Sequence, residues 1–131
     1  MMNIAVIHSR LDAKGGTQRQ ALWTALALQN AGHKVKVYTL SYDKKRCFSD
    51  ILDRLEVIYA EGFDRETLIS KNPALGFLNY IVYSINESKA AKKLAILFDP
   101  NTEILNAYDK FGFRIAYFAK KRQCRQAKSV I

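Results

Sequence analysis

Short apolar runs alternate with longer helical patterns along this chain. Residues 4–7 read Ile-Ala-Val-Ile, a β-branched run typical of a buried parallel strand, and residues 35–39 form a second run. Good helix formers fill most of the interval between them. Gly32 then stands where a left-handed residue commonly ends a helix. This order predicts two parallel strands joined by a crossover helix in one sheet.

The alternation continues to the end of the chain. Three further strands are predicted at residues 55–59, 103–107 and 127–131. Asn72 and Pro73 form a strong helix start, and helical spacing continues from there until Pro100 stops it. Asp109 is predicted to cap another helix, which runs to about Gln123. The sequence therefore predicts an α/β fold, with a Rossmann-like three-layer α/β/α arrangement and a parallel sheet of about five strands.

The composition fits one globular domain. The chain has 131 residues, of which 49% are apolar and 25% charged, so it is long enough to bury a continuous core. We therefore treat residues 1–131 as a single domain. Its last strand pattern lacks a covering helix, so we expect a truncation before a second domain. No apolar run approaches the roughly 18 residues of a membrane-spanning helix, and the start does not resemble a secretory signal.

The chain is basic, with 21 Lys plus Arg against 12 Asp plus Glu and a formal charge of +9. Nucleic acid, anionic lipid and phosphorylated small molecules all suit such a charge. The basic clusters lack the interleaved aromatics of a base-stacking surface, which argues against nucleic acid and favours solvated helix faces and loops. Cys47 and Cys124 have no neighbouring Cys or His, so we expect free thiols in a reducing compartment. These features predict a cytoplasmic protein and leave open a place on the inner face of a membrane.

The loop between the first strand and the first helix carries the candidate chemistry. Gly15 and Gly16 let a ligand approach the backbone, and Thr17 is predicted to cap the helix in a capping box with Gln20. The helix would point free amides and its positive dipole end at the same place, which suits a phosphate or a carboxylate. Open parallel α/β sheets bind ligands at the carboxyl ends of their strands, where this loop lies. The spacing alone leaves open whether the glycines bind a ligand or only make a tight turn.

Several common motifs are missing from the sequence. It contains no GxGxxG, no GxxxxGK[ST] and no GxSxG. Their absence argues against classical dinucleotide binding, nucleoside triphosphate hydrolysis and serine hydrolase chemistry. No cofactor and no metal site are predicted. A receiver-type module would need an acidic pair after the first strand, where this chain has His8 and Ser9.

Four stretches together resemble the start of the group 1 glycosyltransferases, which are retaining enzymes built on the two-domain GT-B plan: residues 2–7, 15–19, 26–39 and 103–109. These enzymes typically open with a strand, a Gly-Gly loop, a helix and a second strand preceded by Gly-His. The similarity covers most of the chain, but residues 43–93 match only in the order of their elements. The expected fold is therefore a truncated N-terminal domain of the GT-B type.

The resemblance implies an enzyme that transfers a sugar from a nucleotide-sugar to a sugar or lipid-linked acceptor with retention. This chain would be its acceptor-side domain, the nucleotide-sugar domain would be the absent C-terminal part, and the fragment alone is predicted to be inactive. The residues expected near the donor diphosphate are Gly15, Gly16 and Thr17. The residues expected to border the acceptor side of the cleft are His8, Asp12, Lys14, Tyr108 and Asp109. No catalytic residue is assigned.

Alternatives remain at several of these positions. Structural hydrogen bonding is the simpler role for His8, and solvated loop charges are the simpler reading of Asp12 and Lys14. The family often has a histidine where this chain has Tyr108, so no role that needs an imidazole can be carried over to that position.

Two other protein classes also stay open: a non-catalytic flavodoxin-like binding module, and a basic module for nucleic acid or an anionic lipid surface. Four aromatic residues at helical spacing are expected to pack in the core: Trp23, Phe77, Tyr80 and Tyr83. For the last three, an apolar surface that meets an acceptor or a membrane is the alternative.

Overall fold

Five parallel strands form the central sheet in a computed structural model of the chain, which describes residues 1–60 and 76–130. Its strands are β1 (Asn3–Ile7), β3 (Lys34–Thr39), β5 (Glu56–Tyr59), β6 (Ile104–Ala107) and β7 (Lys128–Val130). They lie in the order β5-β3-β1-β6-β7, and all neighbours pair in parallel. Counted along the chain, this is the order 3-2-1-4-5, which is shared with dinucleotide-binding α/β folds. The predicted Rossmann-like fold is confirmed.

Helices cover both faces of this sheet because successive side chains of the central strand β1 point to opposite sides. Ile4 and Val6 belong to one apolar cluster, together with buried residues of α1 (Gly16–Asn30) and α2 (Ser49–Leu52). Ala5 and Ile7 belong to a second cluster, on the side of α3 (Gly76–Ile96) and α4 (Lys110–Arg122). The layers are therefore helix, sheet and helix.

A second, two-stranded sheet lies beside the first one. Its strands are β2 (Arg10–Leu11) and β4 (Ser41–Tyr42), which pair in parallel. The polar loop predicted between the first strand and the first helix, at residues 9–16, is wrong at β2, which forms a strand there. Leu11 is fully buried, and its burial brings the two short strands together.

The helix ends agree with the sequence at two positions and differ at a third. Gly32 has a φ of 97°, the left-handed conformation expected after α1, and Asp109 caps α4 by accepting from the Gly112 amide at 2.8 Å. The capping box predicted at Thr17 is wrong, because the N-cap of α1 is Gly15, two residues earlier, and the helix begins at Gly16. The Thr17 hydroxyl contacts His8 and Gln18 instead.

Helix α3 packs on the sheet only through its second half, where its buried residues lie: Glu87, Ala90, Ala91, Leu94 and Ala95. Phe77 is 62% exposed and Tyr80 64%, so the expectation that they pack in the core was wrong. Trp23 on α1 is also exposed rather than packed. The helix ends at Ile96, a few residues before the predicted stop, and the predicted start at residues 72–73 lies outside the described residues.

Two further sequence expectations concern the thiols and membrane spans. Cys47 and Cys124 are buried and free, as expected. Among the helices in the described ranges, none combines the length and the apolar character needed to cross a bilayer.

Candidate functional site at the carboxyl edge of the sheet

The candidate site lies where the neighbouring strands β1 and β6 end. β1 ends at Ile7 and β6 at Ala107, and the Tyr108 amide donates to the Ile7 carbonyl oxygen at 3.0 Å. The loops that follow the two strands are therefore adjacent. This is the edge at which open parallel α/β sheets bind their ligands.

Asp109 joins these two loops. One carboxylate oxygen, Oδ1, accepts from the Ser9 amide at 3.1 Å and from the Gly112 amide at 2.8 Å. The other oxygen, Oδ2, accepts from the Ser9 hydroxyl. A single side chain thus caps α4 and holds the loop after β1, and both of its oxygens are engaged. Asp109 positions the site, and its predicted contact with an acceptor stays a prediction.

His8 links the same loop to helix α1. The ring is buried, and its Nδ1 accepts from the Arg10 amide at 3.0 Å. The hydrogen bonds therefore assign the proton of the neutral ring to Nε2, which lies 3.0 Å from the Thr17 hydroxyl oxygen and donates to it. The Thr17 hydroxyl in turn donates to Oε1 of Gln18 at 3.1 Å. This series of hydrogen bonds fixes the first turn of α1 relative to the end of β1.

The N-terminus of α1 suits an anion. Gly15 is the N-cap, no side chain of the described residues caps the helix, and its first turn contains no acidic residue. The amides of the first turn and the positive end of the helix dipole therefore face the edge of the sheet without a neutralising partner from those residues. A Cβ built on Gly16 meets nothing within 4 Å, which shows open space beside the backbone.

Asp12 and Lys14 lie in the loop between β2 and α1. Asp12 pairs with Arg10 at 2.8 Å, and Lys14 is exposed. Burial raises the pKa of the nearby Cys47 thiol, and smaller electrostatic effects of Asp12 and Lys14 act on that pKa in opposite directions. Asp12 directly follows β2, and Lys14 lies two residues before the first residue of α1.

Tyr108 packs toward the α1 side of the sheet. Its ring is half-buried against the apolar cluster that contains Ile4 and Val6, and its hydroxyl oxygen accepts from the Asn106 side-chain amide at 3.3 Å. The aromatic ring therefore forms part of the wall of this edge.

The structure adds Ser9 and Gly112 to the residues predicted from the sequence. Ser9 is buried and bound to a carboxylate 100 positions away, and no local pattern indicates such a contact. At Gly112 a Cβ would lie 3.3 Å from the Ile7 carbonyl oxygen and against the Asp109 carboxylate, so glycine allows α4 to approach β1. A signal for it existed, because the glycine stands three residues after a capping aspartate.

A separate cavity of about 230 Å³ lies at the opposite, amino edge of the sheet, between Lys34, Lys36 and Asp99. Within the described ranges, no three His, Cys, Asp or Glu side chains are grouped to hold a metal ion.

The strand order defines the class of this domain, which is a Rossmann-like α/β unit. In such units, ligands bind between the loops at the carboxyl edge of the sheet. No protein-family model matches the chain, and no solved structure matches it significantly. Three curated proteins, however, match part of the chain. The chain is 44% identical over 50 residues to the alpha-1,3/1,6-mannosyltransferase ALG2 of Eremothecium gossypii, a segment that is 38% of this chain and 10% of that protein.

Two further relatives carry the same name. The chain is 41% identical over 54 residues to the protein of Yarrowia lipolytica, which is 41% of this chain and 12% of that protein. It is 42% identical over 50 residues to the protein of Candida glabrata, which is 38% of this chain and 11% of that protein. The relatives are glycosyltransferases, and they confirm the resemblance drawn from the sequence. The matched segment spans only about a tenth of their length.

Proposed function

We propose that this chain is the N-terminal, acceptor-side domain of a retaining glycosyltransferase of the GT-B type, which transfers a sugar from a nucleotide-sugar donor. The observation that carries the proposal is the α1 N-terminus behind Gly15 and Gly16, which lies at the carboxyl edge without a capping side chain from the described residues. The similarity to mannosyltransferases supports a hexose, with mannose as the first candidate.

The leaving group of such a transfer is a nucleoside diphosphate, and its developing negative charge must be stabilised. Backbone amides at Gly16 and Thr17 supply hydrogen-bond donors, and the dipole of α1 adds a favourable potential. His8 holds Thr17 in place, and Asp109 holds the loop that carries His8 through its bonds to Ser9. The preorganised loop therefore needs little rearrangement when the phosphates bind.

The acceptor would lie along the same edge, bordered by Asp12, Lys14 and Tyr108. We propose a sugar or lipid-linked acceptor, and a cytoplasmic protein at the inner face of a membrane. The relatives are several times longer than this chain, since a 50-residue match is 10% of one of them. A second domain would bind the nucleotide-sugar from across a cleft and exclude water, so we expect the 131-residue chain alone to be inactive.

The test is sugar transfer by the longest protein that the gene encodes, beside the 131-residue chain. Transfer from one nucleotide-sugar to a lipid-linked acceptor by the longer protein only is the expected result. Transfer should fall in Thr17→Val, which removes the hydroxyl that His8 contacts, and should be retained in Thr17→Ser, which keeps it. Turnover by the short chain would contradict the need for a second domain.

A non-catalytic binding module is the competing reading, and it would bind its ligand at the same edge without a second domain. Its flavodoxin-like form is wrong, because flavodoxin-like sheets have the strand order 2-1-3-4-5 and this sheet has the order 3-2-1-4-5. Binding of a phosphate ligand by the 131-residue chain, together with no transfer by any longer product, would favour that module.

A further inference from the structure

Helix α3 projects beyond the carboxyl edge of the sheet. Two hydrogen bonds align it with α4: the Arg114 guanidinium donates to the Ser88 hydroxyl at 3.1 Å, and the Gln123 side chain donates to the Ile96 carbonyl oxygen at 3.4 Å. The two helices therefore run in parallel. Ser88 lies 12 residues after the start of α3, whereas Arg114 lies four residues after the start of α4. At 1.5 Å per residue, α3 begins roughly 12 Å beyond α4.

The projecting part of α3 is apolar and faces solvent. We call residues 76–86 the α3 projection; all buried residues of the helix lie after it. Its exposed large apolar side chains are Phe77, Leu78, Tyr80, Ile81 and Ile85. Single exposed apolar residues are ordinary on a protein surface, but five within three helical turns form a patch of the kind that binds a partner or a membrane.

Basic residues continue the same ridge of the helix. Residues four positions apart form a ridge that winds around an α-helix by about 40° per step, and here that ridge consists of Phe77, Ile81, Ile85, Lys89 and Lys93, all of them exposed, so the lysines follow Ile85 and have turned away from Phe77. The ridge therefore changes from apolar to positively charged toward the body of the domain. Lysine side chains also place an apolar stem against hydrocarbon and keep the ammonium group in water.

We propose that the α3 projection docks on an anionic lipid bilayer. The apolar side chains enter the boundary between headgroups and acyl chains, and Lys89 and Lys93 contact the anionic headgroups. The formal charge of +9 also favours binding of the chain to an anionic bilayer. The projection lies at the edge that carries His8 and Asp109, so docking would hold that edge near the membrane. This inference rests on the proposed function for its purpose, but lipid binding itself requires no sugar transfer.

Flotation with phosphatidylcholine vesicles, with and without phosphatidylserine, tests the apolar part of the surface. The 131-residue chain should bind the anionic vesicles, and Phe77→Ser with Ile81→Ser should lower the affinity about tenfold or more. Trp23→Ser is the matched control, because Trp23 is 55% exposed but lies on α1, across the sheet. Its binding should equal that of the wild type.

The lysines are tested with a second pair of variants. Lys89→Gln with Lys93→Gln should lower the affinity for anionic vesicles about tenfold or more and make binding less sensitive to salt. Lys45→Gln with Arg46→Gln removes two exposed charges elsewhere and should have a smaller effect. Circular dichroism and urea unfolding establish that each variant is folded.

Equal losses in the projection variants and in their controls would overturn the proposal, as would wild-type binding by the projection variants. Dimerisation through the same surface is a further outcome that would overturn the proposal. It would appear as concentration-dependent dimers that Phe77→Ser abolishes, in a protein that does not bind vesicles. Sugar transfer measured with a soluble acceptor separates the two proposals. Retained transfer without vesicle binding contradicts only the docking surface, and vesicle binding without transfer contradicts only the proposed function.

Discussion

The Asp109 carboxylate accepts hydrogen bonds from both the backbone amide and the hydroxyl of Ser9, although the two residues are 100 positions apart in the chain. The contact joins the loops that follow two adjacent strands, and the same carboxylate caps α4 through Gly112. The geometry of the candidate site therefore depends on the Asp109 side chain, independently of its predicted contact with an acceptor.

Replacing Asp109 should destabilise the fold. Asp109→Ala removes a helix cap and leaves the buried Ser9 without its carboxylate partner, so we expect a loss of about 2 kcal/mol or more in the free energy of unfolding. Ser9→Ala removes only the hydroxyl bond, and its cost should be about 1 kcal/mol. Urea unfolding measures both. A loss below about 0.5 kcal/mol for Asp109→Ala, the range of ordinary surface substitutions, would show that the link does not hold the loops.

Two glycines at helix starts should respond in opposite ways to alanine. Alanine favours a helix over glycine by up to about 1 kcal/mol, but at Gly112 its Cβ would meet the Ile7 carbonyl oxygen and the Asp109 carboxylate. Gly112→Ala should therefore lower the melting temperature. Gly16→Ala, where the Cβ meets nothing within 4 Å, should leave it unchanged or raise it. A Gly112→Ala protein as stable as Gly16→Ala would contradict the close approach of α4 to β1.

The strands and the α4 cap were predictable because their signals are local. The run at residues 4–7 is apolar on both faces of a strand, and the structure buries both faces. Asp109 caps α4 with its own side chain, as an aspartate before a helical pattern indicates. β2 and β4 gave no such signal, because two-residue strands form only where the tertiary structure brings them together.

The errors at Thr17 and in α3 also have physical causes. The Thr17 hydroxyl suits a cap, but the buried His8 ring donates to it across the loop, and the N-cap of the helix lies two residues earlier, at Gly15. The aromatics of α3 have helical spacing, yet Phe77 and Tyr80 lie on turns that extend past the sheet, where residues 1–60 and 76–130 offer no layer to pack against. Periodicity predicts which side chains share a face, but not whether another layer reaches that face.

Stability should fall at alkaline pH because of Tyr38. Its ring is buried against Phe98 with the ring centroids 3.7 Å apart, and its hydroxyl oxygen accepts from the Asp99 amide at 3.2 Å. Burial raises the pKa of Tyr38 from 10.0 to about 12. Above pH 10 the unfolded chain releases this proton and the folded chain keeps it. The contribution to stability is therefore complete below pH 10 and is lost as the pH rises toward 12.

Urea unfolding between about pH 9 and 11 tests this, with an expected extra loss of up to about 1.4 kcal/mol per pH unit above the unfolded pKa. Other tyrosines and lysines titrate in the same range, so the difference between wild type and Tyr38→Phe is the relevant quantity. A constant difference across that range would contradict the assignment to Tyr38.

Both thiols should be unreactive in the folded protein. Burial raises the pKa of Cys47 and of Cys124, and the Cys124 thiol also donates to the Asp99 carbonyl oxygen at 3.3 Å. Since the thiolate is the reactive form, labelling by a thiol reagent at neutral pH should be slow and should follow unfolding. In denaturant both residues should react at once. Rapid labelling of either cysteine in the native protein would contradict its burial.

Calorimetric titration of the longest encoded protein with UDP-, GDP- and ADP-sugars tests the central proposal most directly, beside Gly16→Asp and Gly16→Ala. The Cβ of either side chain would meet nothing within 4 Å, and a carboxylate in the first turn even favours the helix, so we expect neither variant to unfold. Wild type and Gly16→Ala should bind one donor, and Gly16→Asp should bind it about tenfold more weakly or worse, because its charge opposes the phosphates. Equal binding by all three proteins, or binding of no donor, would contradict the proposed role of Gly15 and Gly16.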